Sequence, residues 1–275
     1  MNEEIVIIEG GGKSSGLKVS DIAKYWDLFC ALAKRDISVH YKQTFIGVAW
    51  VVLQPLLTML VMTLIVGRFK QLSGEQFPYP LILFGGLVPW LAFSKAWMNG
   101  SHSITGNQVL VTKVYFPRVI LPAASVSSVI IDILINTVVL IALTLWFYKT
   151  LCWSTLLLPI LGVFVLINAF AISLWFSSLS VCYRDFQFAL SYLVQIGQFV
   201  GPVYYPLSVI PEKWHLIYSL NPMVASIELF RWAVMPDYPF PSLIVLSSSL
   251  FTMLLVGISG WFYFHSIERN IADRI

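Results

Sequence analysis

Six apolar stretches, each long enough to cross a bilayer, run through this 275-residue chain at roughly 45–67, 79–98, 119–148, 155–181, 187–206 and 242–264. A hydrocarbon core of about 30 Å needs about 20 helical residues at about 1.5 Å each. In lipid, only helices and closed barrels satisfy their own backbone groups, and apolar runs of this length without strand-like alternation exclude a barrel. The spacing predicts an all-α polytopic membrane protein with six transmembrane helices. Hydrophobic residues make up 58% of the chain and charged residues 11%, against about 45–50% and about 25% in soluble proteins. Most of the chain is therefore one membrane domain rather than a soluble domain with an anchor.

A net charge of +3 is too small to suggest a nucleic-acid partner. The distribution of Lys and Arg says more. With the N-terminus in the cytoplasm, eleven fall in inside segments and five outside, with Lys95 inside the second span. That asymmetry predicts both termini cytoplasmic. Cys30, Cys152 and Cys182 are scattered and offer neither metal-ligand spacing nor a disulfide framework. The polar, Gly-rich N-terminal segment lacks the apolar core of a cleavable signal peptide, so the first span is expected to direct insertion.

Residues 1–20 read as a flexible cytoplasmic tail, 44–267 as the six-helix domain and 268–275 as a cytoplasmic C-terminal tail. Between them, 21–43 reads as an amphipathic interface helix. Ile22, Trp26, Phe29, Leu32 and Ala33 recur at helical spacing, with Lys24, Lys34 and Arg35 on other faces. Such a helix either lies in the headgroup layer or packs against protein. The cytoplasmic loop 99–118 is polar, and the short loop 181–186 carries Tyr183, Arg184 and Asp185. The outside segment 206–241 is Pro-rich, and Pro222, Glu228 and Arg231 interrupt its apolar stretch. It reads as short helices dipping into the outer leaflet.

Three fragments imitate a nucleotide-binding cassette without its arrangement. Gly10–Ser14 looks like a phosphate-binding loop, but Ile7 stands where that loop needs Gly. Leu72–Gln76 resembles a cassette signature peptide yet lies in an outside loop, and Val129–Asp132 lies within a membrane helix. Any ATP must be hydrolysed by another polypeptide.

Asp132 and Asn136 stand four residues apart on the third span and share a face. An intramembrane carboxylate is costly, so Asp132 is either functional or the partner in a helix–helix hydrogen bond. Gln195 and Gln198 read as interhelical bonds, and Gly197 with Gly201 permits close helix contact. Trp90, Phe93 and Trp97 share a helix face, and Tyr204 and Tyr205 precede Pro206. Such rings either anchor the chain at the membrane interface or line a path suited to sugar surfaces.

The ordered series of motifs resembles the membrane subunit of type-2 ABC exporters for lipid-linked polysaccharide. It comprises Leu32–Asp36, Tyr41–Gly47 with Trp50 and Gln54-Pro55, Pro78–Pro80, Gly85–Trp90, Thr112–Arg118 with Leu121-Pro122, Tyr183–Asp185, Pro202–Pro206, and Leu220–Met223 followed by Glu228 and Phe230–Trp232. The likeness spans roughly 27–270. Val181-Cys182 departs from it where many relatives are expected to carry a basic residue.

The resemblance implies a homodimer of six-helix subunits in a bacterial inner membrane. Each would be paired with a separate ABC ATPase subunit that holds ATP and Mg, and this chain would bind no cofactor and catalyse nothing. Thr112, Lys113, Tyr115, Arg118, Arg184 and Asp185 would receive the ATPase stroke. Short outside helices bearing Asn221, Pro222, Glu228 and Arg231 would gate the pore. The substrate class implied is an undecaprenyl-diphosphate-linked O-antigen chain, or a capsular or teichoic polymer. Lys34, Arg35 and Lys42 sit where its diphosphate would arrive, although positive-inside anchoring also explains them. A stand-alone secondary transporter would need an internal repeat or a buried ionisable relay. A membrane enzyme would need convergent acid, base or metal residues. The scattered His40, His102, His215 and His265 supply neither.

Overall fold

A computed structural model describes residues 24–42, 49–66 and 77–268. The tail 1–20 with its Gly10–Ser14 loop, the 43–47 part of the first motif, Leu72–Gln76 and the C-terminal 269–275 lie outside the described residues. The described residues fold into helices and contain no strand. In chain order they are α1 (Trp26–Lys42), α2 (Ala49–Val66), α3 (Tyr79–His102), α4 (Gln108–Lys113), α5 (Ile120–Ser127), α6 (Ile130–Tyr148), α7 (Leu158–Cys182), α8 (Asp185–Val200), α9 (His215–Tyr218), α10 (Met223–Val234) and α11 (Leu243–Glu268).

Among the described residues, four helical segments are long and apolar enough to cross a membrane: Tyr79–His102, Ile120–Tyr148, Trp153–Cys182 and Leu243–Glu268. The expected first and fifth spans are shorter, with α2 at 18 residues and α8 at 16. Sixteen residues reach about 24 Å, short of a full hydrocarbon core. The expected fifth span stops at Val200 because Gly201 is extended ahead of Pro202, whose ring disfavours a helical residue before it. The expected third span is two helices, α5 and α6, joined through Ser128 and Val129.

α3 is the hub. Leu81, Ile82, Leu83, Phe84 and Leu87 are fully buried, and the helix packs against α2, α5, α6, α7, α8 and α10. α7 packs as extensively as α3, against both α3 and α11. Hydroxyls inside the bundle bond back to their own helices: Thr144 donates to the Leu140 carbonyl at 2.9 Å, and Ser178 to Leu174 at 3.0 Å. This satisfies polar groups where water is absent. The outer surface is the reverse of a soluble protein's, with Trp146, Leu156, Phe188, Leu243 and Phe262 all exposed. With lipid as the solvent, an apolar exterior carries no penalty.

Both alternatives for the amphipathic helix have support on different faces. Leu32 is buried and packs with Phe29 against a cluster of Ile104, Val119, Ile120 and Phe264. Trp26 remains exposed on another face, and Val39, two turns beyond Leu32 on nearly the same face, is exposed too.

Candidate functional site

The two ends of α3 organise two polar centres. At its N-terminal end, Gly85 and Gly86 leave room for a side chain from α10. Arg231 fills it and is 0% exposed. Its guanidinium donates to the carbonyls of Ile82 at 3.0 Å, Val203 at 3.0 Å and Tyr205 at 3.1 Å, and to Glu228 at 2.8 Å. Glu228 also accepts from the Tyr238 hydroxyl at 2.9 Å and from the Leu207 backbone N–H at 3.4 Å. The pair thus holds the irregular segment 203–206 and the first N–H of the short helical turn Leu207–Val209, groups that no helix of their own satisfies. Glu228 and Arg231 are expected on the helices of an outside gate. Both are inside the protomer, because a buried guanidinium is tolerable only with such a set of acceptors.

Asn221 and Pro222 start α10. The Asn221 side-chain oxygen accepts the Met223 N–H at 3.0 Å, and Pro222 needs no donor partner there. Ser154 and Thr155 both donate to the Ala233 carbonyl near the other end of that helix, at 3.1 and 3.0 Å. Tyr204 and Tyr205 are half-buried. Tyr204 stacks on Phe199 at 5.4 Å, and the Tyr205 hydroxyl meets that of Tyr218 at 2.7 Å.

Trp90, Phe93 and Trp97, expected along a polymer path, are 3%, 4% and 6% exposed. They form a ladder of tilted rings, with Trp97 edge-on to Phe176 at 5.1 Å. Within one protomer this ladder is core packing between α3 and its neighbours, and Trp90 lies against Gly197, where an added Cβ would approach the ring to 2.7 Å. The small residue at 197 has its reason in that contact.

At the C-terminal end of α3 the second centre joins three elements. Lys95 forms an ion pair with the buried Asp132 of α6. The Tyr41 hydroxyl of α1 donates to the other carboxylate oxygen, and His40 meets the Lys95 ammonium through its Nε2. Partial burial of the largely exposed His40, then the neighbouring Lys95 charge, lower its pKa below the ordinary 6.5. The Tyr41 phenol is pushed up, by burial first and then by its bond to Asp132. The Asn136 amide donates to the Asp132 carbonyl at 3.0 Å. Sequence reasoning missed this centre as a unit. Its signal was the coincidence of one cation, Lys95, and one carboxylate, Asp132, each inside a span.

The remaining expected residues lie near this end. Arg35 is exposed and pairs with Asp36 at 2.8 Å, which also accepts from Ser125 at 2.8 Å. Lys34 is exposed, and Lys42 closes α1. Thr112 bonds within α4 to the Gln108 carbonyl at 2.9 Å, with Lys113 beside it. Tyr115 is 80% exposed, and Val109 and Val114 are exposed near it in sequence. The Arg118 backbone N–H donates to Glu268 at 3.0 Å, tying this loop to the end of α11. Arg184 and Asp185 are exposed at the start of α8, where the carboxylate favours the helix N-terminus. Among the described residues no group of His, Cys, Asp or Glu is placed to hold a metal.

Comparison with known proteins places these features in a family. The chain is 29% identical to the O-antigen export system permease protein RfbA of Myxococcus xanthus over 226 residues, 81% of this chain and 85% of that protein. It is 29% identical to the RfbA of Klebsiella pneumoniae over 256 residues, 90% of this chain and 95% of that one. Polysialic acid transport protein KpsM of Escherichia coli is 24% identical over 240 residues, 83% of this chain and 90% of its own. Residues 27–235, which carry both polar centres, match the ABC-2 type transporter model, and the chain belongs to that family of membrane transporters.

Proposed function

We propose that this chain is the permease subunit of an ATP-driven exporter that moves a lipid-linked O-antigen polysaccharide across the bacterial inner membrane. The observation that carries the reading is the likeness to O-antigen export permeases over nearly their whole length. Export of a capsular or teichoic polymer by the same mechanism is the second reading, favoured by the likeness to a polysialic acid transport protein.

In this reading the chain has six spans, α2 and α8 being the short ones, with both termini cytoplasmic. It works as a homodimer with two ABC ATPase subunits that carry ATP and Mg. α2 and α8 leave apolar faces uncovered, Leu53, Leu57 and Leu60 on one and Tyr192, Phe199 and Val200 on the other. These suit a meeting of two copies at a central axis. The exposed Val114, Tyr115 and Tyr183 suit docking of a soluble motor. ATP binding on that motor would move loops 99–118 and 181–186 and part the two copies, letting the polymer advance past Tyr204 and Tyr205. Outside, 206–235 would form the gate, its base held by the Glu228–Arg231 pair.

Co-reconstitution with its cassette ATPase in vesicles tests this. Lipid-linked polymer should cross only with hydrolysable ATP. Uphill polymer transport by the chain alone would reject the reading in favour of a secondary transporter.

A further inference from the structure

Arg118 and Glu268 each supply what the other's backbone lacks. Arg118 lies in the irregular stretch 114–119 between α4 and α5, where backbone donors have no ladder of their own. Glu268 ends α11, where the last carbonyls have no partner inside the helix. The Glu268 carboxylate takes the Arg118 backbone N–H at 3.0 Å, and the Arg118 guanidinium donates in return to the Glu268 carbonyl. A cation also suits a helix C-terminus. His265, one turn earlier, meets the second carboxylate oxygen at 3.1 Å and leaves the first to Arg118.

Apolar packing continues this contact into the bundle. Phe116, on the same stretch, is buried in one cluster with Phe264 of α11 and Leu174 of α7. α11 is in turn joined closely to α7. Trp175 stacks on Tyr263 at 4.5 Å and donates through its indole N–H to Ser259 at 3.2 Å. At Gly260 an added Cβ would stand 2.8 Å from the Trp175 ring and 3.0 Å from the Ala171 carbonyl oxygen, so the two helices meet backbone to ring. α7 itself runs straight into loop 181–186. Both cytoplasmic loops therefore converge on one helix pair, loop 181–186 by chain continuity and loop 99–118 by a tertiary tie.

We infer that Glu268 is a positioning residue for export: with Arg118 it binds loop 99–118 to the α7–α11 pair, so that a push on either loop moves both as one body. By chain continuity alone the first loop would pass its displacement only to α3 and α5. The inference rests on the export reading for the motor that pushes. It also gives Arg118 a second task, since its guanidinium faces α11.

The test is polymer exported per ATP hydrolysed by the full-length chain co-reconstituted with its cassette ATPase, counted on assembled complexes only. Glu268→Ala should lower this ratio at least about fivefold with the ATPase still bound. Glu268→Gln keeps an oxygen acceptor for the Arg118 N–H and should hold the ratio within about twofold of the parent. A merely structural role would lower melting temperature and yield but not the ratio in complexes that do assemble. A parental ratio in Glu268→Ala overturns the inference, as does equal loss in Glu268→Gln. With Cys30→Ser, Cys152→Ser and Cys182→Ser in place, Arg118→Cys with Glu268→Cys should lose the ratio when reduced and regain it when joined by a short thiol crosslinker. A joined pair that stays uncoupled means that the contact opens during the cycle, and overturns the tie. A second measurement needs no transport. Hydrogen exchange at 114–119 in the purified chain should quicken at least about tenfold in Glu268→Ala and stay parental in Glu268→Gln. If the parent exports nothing with ATP while this difference holds, the export reading falls and the tie stands. If the parent exports and exchange is unchanged, the tie falls alone.

Discussion

Arg231 and Glu228 meet at 2.8 Å with the guanidinium fully buried, one helical turn apart on α10. Their joint effect is to hold a stretch of chain that has no secondary structure of its own. The guanidinium takes the carbonyls of Val203 and Tyr205, and the carboxylate takes the N–H of Leu207. The pair thus fixes where α8 ends and where the next segment begins. Burying two charges is expensive, and what offsets it here is that each also replaces a missing backbone partner.

Arg231→Ala should leave Glu228 buried without its counter-ion and cost about 3–5 kcal/mol. Arg231→Lys should recover little, since one ammonium cannot reach four acceptors spread around a planar guanidinium. The melting temperature of the purified chain reads the cost. Protease access at 203–207 reads the release of the segment. A Lys variant as stable as the parent would show that charge alone matters there.

Gly86→Ala places a Cβ 2.4 Å from the Val203 carbonyl oxygen and 2.9 Å from the Arg231 guanidinium. Since the nearer contact is backbone, it cannot swing aside. Overpacking of this kind costs about 1–3 kcal/mol or more. Gly106→Ala meets nothing within 4 Å and should be silent. Equal folded yields for the two variants in membranes would contradict the close packing of α3 on the 203 segment.

Lys95→Met should be strongly destabilising, because Asp132, 6% exposed, loses its ion-pair partner while staying buried. Adding Asp132→Leu should restore most of the loss, since a well-packed apolar pair replaces buried charges at little net cost. Thermal unfolding of both singles and the double variant gives the coupling directly. Additive losses would mean that the two side chains do not act as a unit.

Acidification should loosen α1 from α3. The His40 pKa is lowered by burial and by Lys95, so below 6.5 the unfolded chain binds more protons than the folded one. Stability from this contact is complete above pH 6.5 and declines as pH falls through the lowered folded value. Hydrogen exchange in α1 should be faster at pH 5.5 than at 7.5 after correction for intrinsic rate, and His40→Gln should flatten the difference. The groups facing His40 are Lys95 and Asp132, with Arg35 and Asp36 elsewhere on α1. A pH response that survives His40→Gln would place the titrating group elsewhere.

Tyr115→Ala should change stability by no more than about 0.5 kcal/mol, as expected for an exposed side chain away from any core. It should lower polymer-stimulated ATP hydrolysis by the partner. Arg118→Ala should lower both stability and stimulation, because its link to Glu268 holds the loop to α11. Full stimulation by both variants would move the docking surface away from this loop.

The four long apolar segments were readable from the sequence because lipid enforces them, whereas the division of the third into α5 and α6 was not. A chain crossing hydrocarbon must be apolar for about 20 residues and helical throughout, so composition alone reports the element. The motif order from Leu32 to Trp232 likewise pointed to the family, which the match over residues 27–235 bears out. The early stop of α8 at Gly201-Pro202 was also written locally. Tertiary structure alone decided which polar residues meet. Lys95 and Asp132 are 37 positions apart and Arg231 and Ile82 are 149 apart, and helical periodicity says nothing about which faces of two helices oppose each other. For the same reason Trp90, Phe93 and Trp97 were read as a membrane-interface anchor or a polymer path, and their place in the core was not legible. A ring on one helix becomes wall or filling only when α7 and α8 close over it.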